Sequence, residues 1–212
     1  MTGAQRRKVA ELSAAIILSL SAFISSWAGY QANLWDGEQA AHYAEANAAR
    51  VTANRMVTGA GQYEGADMLL FSQWLDAHQR GDEELEHFYH RAFRPEFAGV
   101  VDAWVKLRPR HNPSAPSSPF AMPNYHSRQL DRAAATQRNA SRLFAEGQKA
   151  NDISDAFENG TVFLALAMFL CGIAQTFETL TIRTILLTVG GLACVTGIVR
   201  IIHLPSLQLH LG

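Results

Sequence analysis

Only two cysteines occur in the chain, Cys171 and Cys194, and both lie inside apolar runs. They cannot staple a water-exposed segment, so a disulfide framework is excluded there, and they read as buried membrane thiols. Charge is also sparse, at 17% of residues with a formal net charge of -1. Nucleic-acid binding therefore has no basic footprint. Strand-like alternation, internal repeats, Gly-rich phosphate loops, C-x-x-C pairs and nucleophile arrangements are missing as well. What the chain has in abundance is apolar residues, 48% of the total, and they are gathered at the two ends while most of the charge lies between Asp36 and Glu158.

Three apolar runs, Leu12 to Tyr30, Thr161 to Phe177 and Thr184 to Ile202, are each about long enough to cross a bilayer as a helix. The expected class is an all-α membrane protein with three transmembrane helices and an extracytoplasmic helical bundle of about four helices, two of them continuous with the first and second spans. The expected order is a cytoplasmic N-terminus (1–11), first span (12–30), outer bundle (31–158, with a Pro-rich loop at 109–124), second span (159–177), cytoplasmic turn (178–183), third span (184–202) and outer tail (203–212). Arg6, Arg7 and Lys8 precede the first run and hold the N-terminus inside by the positive-inside rule. A cleaved signal peptide with its site at Ser26-Trp27-Ala28 is the alternative, and it also puts the middle outside. Within the hydrocarbon there is no central ionisable residue, so a proton relay at the midplane has nothing to use. A single short cytoplasmic turn leaves no room inside for a nucleotide-binding domain.

Beyond Tyr30 the first helix is expected to continue. Tyr30, Leu34, Gly37, Ala41, Ala44, Ala48 and Val51 are spaced alternately three and four apart, and Leu130, Ala133, Gln137, Ala140, Phe144, Gly147 and Asn151 repeat that spacing before the second span. The two rows are expected to face each other, antiparallel. Between them fall two or three shorter helices. One carries Met68, Phe71, Trp74 and Leu75 and stops near Gly81; one is capped by Asp82; one starts at Pro95. The Pro-rich stretch is a loop, and its P-x-x-P spacings read as a crossover between helices.

Three sets of residues are candidates for function. Glu84, His87 and His90 give an E-x-x-H spacing of the kind metal-binding bundles use, although no second copy exists to complete a di-iron site. Their alternative is an acidic helix start stabilised by the helix dipole. Asp36, Glu38, Asp152, Asp155 and Glu158 should form an acidic belt at the outer membrane boundary, which in a ring of copies would concentrate cations. Gly190, Ala193 and Gly197 form a small-residue packing face on the third span, serving either the second span or a neighbouring copy. Glu178 and Arg183 are expected to pair across the turn.

Trp27-Ala28-Gly29-Tyr30-Gln31-Ala32, Trp35-Asp36-Gly37-Glu38-Gln39 and Asn151-Asp152-Ile153-Ser154-Asp155 before Thr161-Val162-Phe163 resemble a group of small bacterial inner-membrane proteins of unassigned function. These have an N-terminal span, a helical outer segment and a C-terminal hairpin. The resemblance implies a bacterial inner-membrane location and no activity, and no catalytic residue follows from it.

The expected function is a non-enzymatic membrane protein whose outer bundle serves partner binding, scaffolding or sensing, with the exposed aromatics near Phe88, Tyr89 and Phe120 as its surface. Its partners would be the bilayer, its own copies in a homo-oligomer and a membrane or periplasmic protein, with no nucleic acid and no cofactor. An oligomeric cation channel lined by Ser19 and Ser26 is the alternative, and a metal-binding enzyme is third.

Overall fold

The computed structural model describes residues 3–208. Among them every regular element is helical: α1 (Gly3–Arg80), α2 (Glu83–Ala92), α3 (Pro95–Lys106), a 3-10 turn at Pro119–Ala121, α4 (Arg128–Ala174) and α5 (Leu180–Ile202). Three of them, α1, α4 and α5, are long and apolar enough to cross a membrane. The chain divides into two compact units, Met1–Ala46 with Ser141–Gly212 and Asn47–Ala140.

In the first unit the buried positions recur every seven residues, the repeat that keeps one face of a helix against its neighbours. On α4 the buried series is Gly147 and Ser154 beside Leu143, Ala150, Phe157, Leu164 and Cys171. On α5 it is Arg183, Gly190 and Gly197 beside Leu187, Cys194 and Ile201. On α1 it is Ala14, Ser21 and Ala28, then Ala32 and Ala46.

This corrects the expected row on α1. Tyr30, Gly37, Ala41, Ala44 and Ala48 are exposed, and Leu34 is half-buried. Alanine populates several faces of this helix, so side-chain size could not choose between them. Groups that need a partner do choose. Gln39 Nε2 donates to Asn151 Oδ1 at 2.9 Å, Ser154 Oγ donates to the Ala32 carbonyl at 3.1 Å, and the Tyr43 ring stacks on Phe144 at 5.1 Å. Trp27 meets Phe157 edge-on at 5.8 Å. The partner numbers fall on α4 as they rise on α1, so the two helices are antiparallel as expected. Asn151, which interrupts the apolar row in the sequence, is the residue that Gln39 answers.

The α4–α5 hairpin is closed by glycine. A Cβ on Gly160 would lie 2.4 Å from Ile201 Cγ1, and one on Gly197 would lie 3.0 Å from Leu164 and 3.1 Å from the Gly160 carbonyl oxygen. Only hydrogen fits at that separation, and close backbone approach is how helices associate where lipid removes the hydrophobic incentive. Beyond α5 the chain returns to α1. Gln31 donates to the Leu207 carbonyl at 3.1 Å and accepts from the Leu207 N–H at 2.9 Å, and Trp35 Nε1 donates to the Pro205 carbonyl at 3.1 Å. Residues 209–212 of the expected outer tail lie outside the described residues.

The second unit is organised around an aromatic cluster: Phe71 and Trp74 of α1, Phe93, and Phe97, Val100, Val101 and Trp104 of α3. Met68 to Leu75 form no separate helix, contrary to expectation, because nothing in α1 breaks the backbone before Gly81. There the φ of +73° admits a left-handed turn, with the Asp82 N–H reaching the Ala77 carbonyl at 3.1 Å. Asp82 then caps α2, its Oδ1 accepting from the Leu85 N–H at 3.1 Å, and Pro95 opens α3 as expected. Phe120 from the Pro-rich loop is also corrected. Its ring stacks on Phe97 at 5.2 Å, so it belongs to the core and not to an exposed aromatic surface, while Phe88 stays exposed.

Candidate functional site

A buried acid organises the most polar region of the second unit. Asp67 stands seven residues before Trp74 on the inward face of α1 and is 1% exposed. A carboxylate in that position must find donors. Arg94 supplies a fork: its Nε donates to Asp67 Oδ1 at 3.0 Å and its Nη2 donates to Oδ2. Tyr125 Oη donates to the same Oδ2 at 3.4 Å. Arg94 can reach back because it precedes a proline, which forces its backbone out of the helical region (φ -61°, ψ 143°) and turns its side chain off the axis of α3.

Around this pair lies a cleft of about 750 Å³, lined by Tyr63, Glu64, Arg94, Glu96, Tyr125, Gln129 and the first turn of α4. The Tyr63 ring supports the Arg94 guanidinium at 5.1 Å, and Glu96 approaches its Nη1 at 3.5 Å. Hydrogen bonding to Asp67 holds the Arg94 pKa above its ordinary value. The Tyr125 phenol is pushed up to about 12, first by burial and then by the charges of Asp67 and Glu64. At neutral pH Tyr125 is thus a donor and not a base. Arg128 and Arg132 also line the cleft and make no ion pair among the described residues, whereas His126 is occupied by Asp131 at 2.5 Å. The site offers two exposed guanidinium groups without ion pairs beside a neutralised third. That set suits planar, bidentate recognition of carboxylates.

The residues singled out in the sequence fall elsewhere. Glu84, His87 and His90 all lie on α2, but His90 Nε2 is bonded to Asp102 of α3 at 2.8 Å, while Glu84 and His87 are exposed. Among the described residues no three His, Cys, Asp or Glu groups come together in a metal-ligand arrangement. His78 and Glu86 pair at 3.0 Å.

Asp36, Glu38, Asp152, Asp155 and Glu158 are all exposed on the first unit. The Gln39–Asn151 bond places Asp36 level with Asp152, while the Trp27–Phe157 contact sets Glu158 further along, at the level of Trp27. Glu38 approaches His42 at 4.0 Å, and Asp155 accepts from Asn151 at 3.0 Å. Gly190, Ala193 and Gly197 are buried, with the two glycines set against Cys171 and Leu164 of α4. That face is filled by the hairpin itself, so it does not require a second copy. Arg183 also departs from expectation. It is 4% exposed and donates to Gln175 at 2.6 Å, with Glu11 at 3.5 Å, in place of Glu178. As the first turn of α5 points Arg183 inward, its partners come from the facing ends of α1 and α4.

The Asp67, Arg94 and Tyr125 group was missed in sequence. Arg94-Pro95 registered only as a helix break, and the available signal was an aspartate in the seven-residue series Ala46, Ala53, Ala60, Asp67, Trp74. No family model matches the chain, and neither a curated protein nor a solved structure matches it.

Proposed function

We propose that this is a multi-pass protein of a bacterial cytoplasmic membrane, N-terminus inside, whose outer helical unit docks an acidic segment of a membrane or periplasmic partner in a scaffolding or sensing role. The observation that carries the proposal is the cleft beside Asp67–Arg94, with Arg128 and Arg132 unpaired at its wall. Arg6, Arg7 and Lys8 support the orientation. Burial of Ala28 in one cluster with Leu164 and Cys194 supports retention of the first span over its cleavage. Self-assembly stays in the proposal through the exposed small face Ala15, Ser19, Ala22 and Ser26, which would let a neighbouring helix come close. A channel lined by Ser19 and Ser26 needs that same assembly, because both serines face outward from the three-helix unit.

Two measurements test the reading. Both native cysteines are buried in the spans, so Ser117→Cys offers a single accessible thiol in the Pro-rich loop. A membrane-impermeant maleimide should label it in intact spheroplasts, and labelling only after lysis would overturn the topology. The full chain in nanodiscs should bind a glutamate-rich peptide over its glutamine counterpart. Arg128→Glu with Arg132→Glu should abolish that preference, and a preference unaffected by the double reversal would remove the cleft from the proposal.

A further inference from the structure

A groove on the first unit runs between α1 and α5 and encloses about 740 Å³, with Val9, Ala10 and Ile17 on one wall and Leu180, Thr184 and Ile185 on the other. Arg6 stands at one end of it. Val9 and Ile185 are more than half exposed, so no side chain of the unit covers them. The Thr184 and Thr188 hydroxyls are turned to the Leu180 and Thr184 carbonyls of their own helix, each at 2.8 Å. What remains facing the groove is largely apolar.

The length of the groove and the difference between its ends define what fits. Arg6 to Ile17 is eleven residues of helix, about 16 Å at 1.5 Å per residue, close to the depth of one leaflet of the hydrocarbon core. Glu11 meets Arg183 at 3.5 Å and Ser21 meets Cys194 at 3.3 Å, so α5 runs parallel to α1 and starts at the Arg6 end. That end is positive. Arg6, Arg7, Lys8 and Arg183 stand there against Glu11 and Glu178. Glu11 is engaged by Arg183, and Arg6, Arg7 and Lys8 make no ion pair among the described residues. The first turn of α5 carries no acid and receives no side-chain cap from Thr179, so the positive end of its dipole adds to the field.

We propose that this groove holds one anionic phospholipid, with an acyl chain lying along Val9 to Ile17 and the phosphate at Arg6. The leaflet is the cytoplasmic one under the orientation proposed above. The inference rests on the membrane-spanning reading, because inside a bilayer the competing occupant is a zwitterionic lipid and not water. One leaflet of depth with a cationic end and an apolar body matches a lipid and no soluble anion. Basic clusters near the membrane surface favour anionic head groups by roughly fivefold per residue.

The probe is dioleoyl phosphatidylglycerol, titrated into the delipidated full chain in detergent and read as the singly bound adduct by native mass spectrometry. Dioleoyl phosphatidylcholine, with the same chains and no net charge, is the comparison. The first phosphatidylglycerol should bind at least about fivefold more tightly than the first phosphatidylcholine. Arg6→Gln with Arg7→Gln and Lys8→Gln should bring the two lipids level. Thr184→Trp changes an exposed residue, fills the groove and keeps the basic cluster; it should weaken the first phosphatidylglycerol at least about fivefold, the equivalent of one or two buried methylenes. Glycerol 3-phosphate, a head group without chains, should not displace the lipid. Equal affinity for the two lipids, a preference that survives the triple substitution, binding indifferent to Thr184→Trp, or displacement by glycerol 3-phosphate would each overturn the proposal. Labelling of Ser117→Cys reads orientation and not the adduct, so either result can fail without the other.

Discussion

Asp67 and Arg94 are the most informative pair to break, because their two halves are buried unequally. Arg94→Met keeps the aliphatic stem and leaves the Asp67 carboxylate, 1% exposed, with only the Tyr125 hydroxyl at 3.4 Å. Removing one partner of a buried ion pair costs about 3–5 kcal/mol, since the remaining charge is desolvated and unpaired. The Arg94 side chain is about a third exposed, so water can enter where its guanidinium stood, and the low end, about 3 kcal/mol, applies. Asp67→Asn should cost less, about 2 kcal/mol, because the guanidinium left behind is partly solvated and one acceptor oxygen remains. Replacing both, Asp67→Leu with Arg94→Met, should recover stability to within about 1 kcal/mol of the parent, because neither charge is then left without a partner. Native-state hydrogen exchange on the full chain in nanodiscs can read this locally. Peptides covering 68–77 and 97–104 should lose protection in each single variant and regain it in the double, with 150–171 as an internal reference. Single variants within about 0.5 kcal/mol of the parent, or a double variant equal to the sum of its singles, would refute the idea that this pair holds α3 against α1.

Tyr125 makes a pH prediction whose sign follows from its raised pKa. A phenol near 10 in the unfolded chain and about 12 in the fold contributes stability that is complete below pH 10 and lost as pH rises through 12, about 1 kcal/mol once solvent screening of this part-exposed group is discounted. Ultraviolet titration of the phenols should show one late transition that Tyr125→Phe removes; an unchanged curve would contradict the buried hydrogen bond. At the hairpin, Gly160→Val and Gly197→Val should each destabilise by about 1–3 kcal/mol, measured by unfolding in mixed micelles, because no space exists for the added carbons. Indifference at both positions would mean the helices are further apart than described. On α1, Ala46→Leu should cost about 1–3 kcal/mol and Ala48→Leu under about 0.5 kcal/mol, since the first is fully buried and the second exposed. The reverse order, read in the same assay, would restore the face expected from sequence.

Element type and the three long apolar helices were legible because they depend on long, redundant signals, whereas the separate helix expected over Met68 to Leu75 is part of α1. Three apolar runs, a glycine-aspartate step at 81–82 and a proline at 95 each act within a few residues, and the helices start and stop where those residues require. Face and partner were harder, because they depend on which residues lie opposite. The alanines of α1 occur in more than one row, and an alanine is as acceptable in lipid or water as in a seam. Register is set instead by single polar residues that look like defects until their partners are known. Gln39 answers Asn151, Ser154 answers a carbonyl, and Arg183 turns from the nearby Glu178 to Gln175 and Glu11. Asp67 follows the same logic more strongly. A lone acid in an apolar series carries no distance information, and its donors lie 27 and 58 residues away. An unmatched polar residue on a buried face, and not a local motif, was therefore the sign that marked both the seam and the candidate site. In a helical chain of this composition the cost of burying such a group without donors is several kcal/mol, so a buried carboxylate or amide that has found its partner on another element locates the packing there.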